Sequence, residues 1–216
     1  YLTAVDNYCR DNNKHFYFFI APDKSKIYGE YYPDYIKQNI PNNKSRAMQL
    51  IRYLEANTNI KIIYPYEELH KSKQFPGYLY RKKDSHWTSL GAYVGYNSLI
   101  DALNTDGLKI TAVRPEKYVH LKNEKDFDQV KLLNCPRRKS MDETIYLEAL
   151  VKTEYTLQTK NGRYAHPDEF SFSNGLDYNV VMFRDSFTIS MIPFISNTFG
   201  NVSYYWDYNV MKNAIK

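Results

Sequence analysis

"DYNVVMFRDSFTIS", residues 177–190, is the stretch on which the fold turns. Val180, Val181, Met182 and Phe183 form an unbroken apolar run, the pattern of a strand buried on both faces of a sheet. Arg184-Asp185-Ser186-Phe187 follows at once, and residues 186–200 then read as helical, although Pro193 must break or kink that helix. A strand–turn–helix junction of this kind lifts a serine hydroxyl above a sheet edge. The serine's own N–H can face a developing oxyanion there, and the helix dipole adds positive potential. Taken by itself, the motif is equally well explained by Asp185 or Ser186 as a simple helix N-cap.

Further strands are expected at "HFYFFIAP" (15–22), "IKIIYP" (60–65) and "NVSYYW" (201–206). Residues 45–59 carry apolar positions at helical spacing behind a Ser45 cap, and 88–107 form the clearest helix, capped by Thr88 and leaving at Gly107. "YEELHKSKQ" reads as a short helix, "YLYRK" as a short extended lead-in, and residues 24–43 as a Tyr-, Pro- and Asn-rich loop. Residues 108–142 are expected to be loop-rich, 143–165 β-rich with a turn at Asn161-Gly162, and a helix opens near the chain end. Alternating strands and helices imply an α/β domain with a mainly parallel sheet, whose ligands sit at the carboxyl ends of strands.

Asp84-Ser85-His86 lies just before the 88–107 helix. In an extended segment, side chains two apart share a side, so the Asp84 carboxylate can accept from His86 Nδ1–H. That contact leaves Nε2 free as a base. Trp87 is placed to shield the imidazole. An isolated Asp-x-His is more often a loop acid beside an ordinary histidine, but Asp84, His86 and Ser186 together supply a serine hydrolase-type triad. His15, His70, His120 and His166 have no such acid beside them and are read as structural.

Composition narrows the class. The 216 residues suffice for one sizeable core, and 43% hydrophobic with 25% charged residues is globular. The net charge of +5 is spread out, with the longest basic clusters at 81–83 and 137–139, which argues against nucleic acid and leaves room for an anionic polymer. Cys9 and Cys135 could pair or stay free, and without CxxC or paired-His spacing no metal and no cofactor are expected. Most of the 22 tyrosines are expected to pack with wet tips, a minority to stack on sugar.

Three blocks carry a resemblance. "DSHWTSLGA" (84–92) resembles the D-[TS]-H-W-[NT]-x-x-G-A signature of the alginate O-acetyltransferase type of SGNH-like proteins, the acetylation factors of exopolysaccharides. "RDSF" with Pro193-Phe194-Ile195 downstream resembles that family's second block, and "APDKSKIYGEYYPDYI" (21–36) a third. Arg184 stands where the alginate enzymes carry Gly. Asp-x-His precedes Ser in the chain, the reverse of ordinary SGNH hydrolases and itself a mark of the family.

The resemblance implies an SGNH hydrolase-like three-layer α/β fold with a mainly parallel central sheet. One catalytic domain would span 1–216, truncated at both ends, with 108–165 insertion-like. By matching position, Ser186 would be the nucleophile, His86 the general base and Asp84 its orienting acid. Arg184, Trp87 and Tyr80 are the candidates for substrate contact, with pairing to a carboxylate set slightly ahead for Arg184. The implied activity is transfer of acetyl groups to a bacterial surface or extracellular polysaccharide through acetyl-Ser. The donor would arrive through a membrane O-acyltransferase partner, and the site would be extracytoplasmic, in a protein anchored to the membrane at full length. A carbohydrate acetylesterase with the same triad, or a non-catalytic glycan-binding relative, are the rival expectations.

Overall fold

The computed structural model describes residues 1–37, 45–115, 117–124, 141–148, 156–158, 169–173, 178–199, 201–207, 210, 214 and 215. They fall into two compact units, residues 1–70 and 71–216.

In the first unit, α1 (Leu2–Asp11) leads to β1 (Tyr17–Phe19), which pairs in parallel with β2 (Lys61–Ile63), Phe18 opposite Ile62. Between them the Tyr-rich segment folds into two single-turn helices, α2 (Lys24–Ile27) and α3 (Asp34–Lys37), where a loop was expected. Next comes α4 (Arg46–Asn57), begun where a local rule says it should: Ser45 Oγ accepts from the Met48 N–H at 3.1 Å. Its Ile51 and Leu54, one turn apart, are buried together with Val5, Ile27, Ile60, Ile63 and Leu69. Cys9 is a free thiol on the buried side of α1, and burial raises its pKa, so it is not an activated nucleophile. Cys135 lies outside the described residues.

α5 (Tyr66–Ser72) follows β2 in the chain, and the next elements belong to the second unit. There a tight loop doubles back so that Tyr80 and Trp87 form an antiparallel bridge, and α6 (Ser89–Thr105) begins two residues later. Thr88 holds this junction with three contacts. Its Oγ1 accepts from the Gly91 N–H at 3.3 Å and donates to the Tyr78 carbonyl at 2.7 Å, while its N–H donates to the Leu79 carbonyl at 2.8 Å. Gly91 permits the approach: a Cβ there would lie 2.2 Å from the Leu79 carbonyl oxygen. Gly107, at φ +93°, ends the helix.

An antiparallel pair follows, β3 (Lys117–Glu124) with β4 (Met141–Glu148), Lys117 opposite Glu148. β3 falls where a loop-rich excursion was expected, and most of β4 falls where the chain was expected to be β-rich; the turn expected at Asn161-Gly162 and most of the 108–165 insertion lie outside the described residues. A four-stranded sheet is built from β5 (Thr156–Gln158), β6 (Glu169–Ser173), β7 (Asn179–Phe183) and β8 (Asn201–Tyr205), in the order β5-β6-β8-β7. The β7–β8 pair is parallel, as is β1–β2, and β5 and β6 join antiparallel. Among the described strands β7 therefore ends the sheet, with Asn179 and Val181 exposed. β8 is the enclosed neighbour, with Val202 and Tyr204 buried.

The helix expected from Ser186 starts later. Ser186–Ser190 form a 3₁₀ turn, and α7 (Ile192–Thr198) takes Pro193 as its second residue, where no N–H is missed. α7 packs on α6 through Phe194, whose ring lies 5.1 Å from Tyr93 and 5.5 Å from Tyr96. Behind that cluster the protons are ordered in one direction. The Val113 N–H donates to the Tyr96 hydroxyl (2.7 Å), Tyr96 to Thr198 Oγ1 (2.6 Å), and Thr198 to the Phe194 carbonyl (2.7 Å). Tyr96→Phe should leave the Val113 N–H without its acceptor and cost about 1–3 kcal/mol in a chemical-denaturation titration. A loss near zero would mean that water replaces the phenol. The helix expected near the chain end lies largely outside the described residues.

Candidate active site

Two loops meet at the site, one entering α6 and one leaving β7. On the first, His86 Nδ1 lies 2.6 Å from Asp84 Oδ1, and the His86 backbone N–H donates to the same oxygen at 2.9 Å. The segment is a bend, not the extended strand expected from the two-residue spacing. Asp84 reaches its imidazole through an Asx turn, in which the carboxylate captures the N–H two residues on and turns the chain back. One oxygen thus fixes both the backbone and the ring of His86.

On the second loop Asp185 repeats the device. Its Oδ1 accepts from the Phe187 N–H at 2.9 Å and caps the 3₁₀ turn. With Asp185 as cap, Ser186 is free to project, and its Oγ lies 2.7 Å from His86 Nε2. The chain therefore brings together the three expected residues as a continuous Asp84–His86–Ser186 line. Asp84 is mostly enclosed and His86 partly open, their side chains 14% and 30% exposed. An acid against one ring nitrogen and a hydroxyl on the other is the arrangement that raises serine nucleophilicity. As the first residue of its turn, Ser186 also has a backbone N–H with no acceptor inside that turn.

The three residues expected to touch substrate are elsewhere engaged. Tyr80 and Trp87 are each 1% exposed and Arg184 4%, so none offers a face to a sugar. Tyr80 and Trp87 bridge each other under the loop. Trp87 donates its indole N–H to the Phe187 carbonyl at 2.7 Å. The Arg184 guanidinium lies 4.4 Å from the Trp206 ring centroid, and its backbone N–H prolongs the β7–β8 pairing to the Tyr205 carbonyl at 2.8 Å. Arg184 also lies near the Tyr204 phenol, whose pKa burial drives far upward while the Ser196 hydroxyl at 2.8 Å and the Arg184 charge pull it back.

Phe187 is the site residue that residue-level reasoning passed over. Its ring sits 5.0 Å from the imidazole and 5.4 Å, edge-on, from Trp87, so Phe187 packs against the imidazole where Trp87 was expected to. The signal was present as the last letter of Arg-Asp-Ser-Phe, but no local rule assigns a task to an aromatic one residue beyond a serine.

Fold and site define an α/β protein of the serine hydrolase type. The family follows from the sequence comparison: residues 1–170 match the SGNH hydrolase-like domain of the acetyltransferase AlgX, and the chain belongs to this family of SGNH-like O-acetyltransferases. That match ends before Ser186. No curated protein matches the chain by sequence. Among solved structures, Bacillus cereus PatB1 is similar with a TM-score of 0.66 at 17% identity, over 94% of this chain and 77% of that one. PatB1 has also been solved with a sulfonyl adduct. A DHHW family protein from Eubacterium siraeum gives a TM-score of 0.64 at 14% identity, over 88% and 69% of the two chains. The O-acetyltransferase domain of Pseudomonas putida AlgJ gives 0.57 at 12%, over 94% and 67%. At these identities the likeness is one of fold.

Proposed function

We propose that the chain moves acetyl groups onto hydroxyls of a bacterial surface or extracellular polysaccharide, through acetylated Ser186. The observation that carries this reading is the pair of contacts on one imidazole, 2.6 Å to Asp84 and 2.7 Å to Ser186. His86 takes the Ser186 proton as Oγ bonds to the acetyl carbon of the donor ester. It then gives that proton to the departing donor oxygen as the ester bond breaks. A sugar hydroxyl next loses its proton to His86 and attacks the acetyl-enzyme, and the proton returns to Ser186. Asp84 stabilises the imidazolium in both halves, and the Ser186 N–H faces the oxyanion. Family membership supports the acetyl group as cargo. The AlgJ O-acetyltransferase domain and PatB1, solved with a sulfonyl adduct, share the fold.

An acetylesterase remains the second reading, because a His86 side chain 30% open to solvent can also activate water. Mass spectrometry after exposure to an activated acetyl ester should find one acetyl group on Ser186 in the parent protein and none in Ser186→Ala. Adding an oligosaccharide acceptor then separates the readings: acetylated sugar supports transfer, and free acetate alone supports the esterase. An unmodified Ser186 beside measurable glycan binding would favour a binding role instead. The proposed setting is extracytoplasmic, with the donor delivered by a membrane O-acyltransferase partner and the full-length protein anchored to the membrane. Among the described residues, no helix is long and apolar enough to cross a membrane.

A further inference from the structure

We infer that Trp87 is a positioning residue, whose indole N–H holds the Ser186 turn within reach of His86 by binding the Phe187 carbonyl. The inference rests on Ser186 being the nucleophile. Ser186 sits on a five-residue 3₁₀ turn, a short element with poor internal hydrogen-bond geometry that leaves its position to outside anchors. Both peptide groups of the next residue are tied down. The Phe187 N–H goes to Asp185 at 2.9 Å and its carbonyl takes the Trp87 N–H at 2.7 Å. Two consecutive residues on one loop thus grip two consecutive residues on the other, His86 on Ser186 and Trp87 on Phe187, both at 2.7 Å.

Trp87 is itself buried and bridged to Tyr80. Because His86 and Trp87 are adjacent in the chain, the indole measures the Ser186 turn against the backbone that carries the imidazole. The Phe187 ring, wedged between imidazole and indole, adds packing that depends on the same registration. A nucleophile displaced by about 1 Å can lose about 10²-fold in rate. The indole can only donate, so removing its proton removes the grip and keeps the shape.

The test separates grip from bulk. Trp87 is replaced by Phe, and in a second variant by 3-benzothienylalanine, which keeps the bicyclic outline but has no N–H. For each, the rate of Ser186 sulfonylation by phenylmethylsulfonyl fluoride, the melting temperature and the crystallographic Ser186 Oγ to His86 Nε2 distance are measured. The benzothienyl variant should react about tenfold more slowly, the factor one net hydrogen bond is worth. Its melting point should stay within about 3 °C of the parent, and its Ser–His distance should lengthen. An unchanged rate and distance would overturn the inference, as would a slowing that merely follows loss of folded protein. If the parent itself fails to react at Ser186, the nucleophile reading falls, and the distance alone then decides whether Trp87 positions the turn.

Discussion

Ser186→Ala and His86→Ala should each lower acetyl-ester turnover by about 10⁴-fold or more, leaving only what binding and the oxyanion donor contribute. Asp84→Asn is the informative third member. Its amide oxygen can still accept the His86 backbone N–H, so the Asx turn survives and the loop keeps its course. What is lost is the charge facing Nδ1 and the tautomer it selects, and turnover should fall by about 10³–10⁴-fold with melting nearly unchanged. The three variants act on one proton path, so the double variant Asp84→Asn/Ser186→Ala should be no worse than Ser186→Ala alone. Steady-state rates with an activated acetyl ester, taken beside melting curves, check this. Full activity in Ser186→Ala would remove the serine mechanism.

Gly91→Ala should be strongly destabilising, and its sign runs against propensity. In a helix interior Ala is ordinarily preferred to Gly by about 1 kcal/mol. Here the added Cβ would lie 2.2 Å from the Leu79 carbonyl oxygen and 3.0 Å from Trp87 Cβ, so backbone must give way. The Leu79 carbonyl is also the acceptor of the Thr88 N–H, and Thr88 caps α6. Overpacking of this severity costs about 3 kcal/mol or more, which outweighs the propensity gain. A fall of about 10 °C in melting temperature is expected for a chain this size. Acetyl-ester turnover should fall as well, since the displaced loop carries His86. A more stable Gly91→Ala protein would show that α6 stands farther from the 79–80 segment.

Some features could be read directly because their causes are local. Ser45 and Thr88 lie at the start of apolar periodic stretches and satisfy N–H groups three residues on, so α4 and α6 begin where expected. Pro193 was expected to break or kink a helix running from Ser186, and that helix instead begins at Ile192, with Pro193 in its first turn. β7 was harder: an unbroken apolar run reports that a strand is hydrophobic, not which strands flank it, and among the described strands β8 is its one neighbour. Tyr80, Trp87 and Arg184 were the candidates for substrate contact, with pairing to a carboxylate set ahead for Arg184. Their burial depends on partners from residues 187 and 206, which no spacing rule announces.

The order of residues by itself determined the chemistry on offer: an acid two positions before an imidazole, a capped helix behind them, and a serine at the exit of an apolar strand. Each of these is a pattern legible within a few consecutive residues of the chain. Only the tertiary structure decided that Ser186 stands 2.7 Å from an imidazole 100 residues away, with an indole and a phenyl ring setting that gap. Such a meeting depends on how α6, the 3₁₀ turn and α7 pack, and packing is settled by the shapes of many side chains at once rather than by any one spacing.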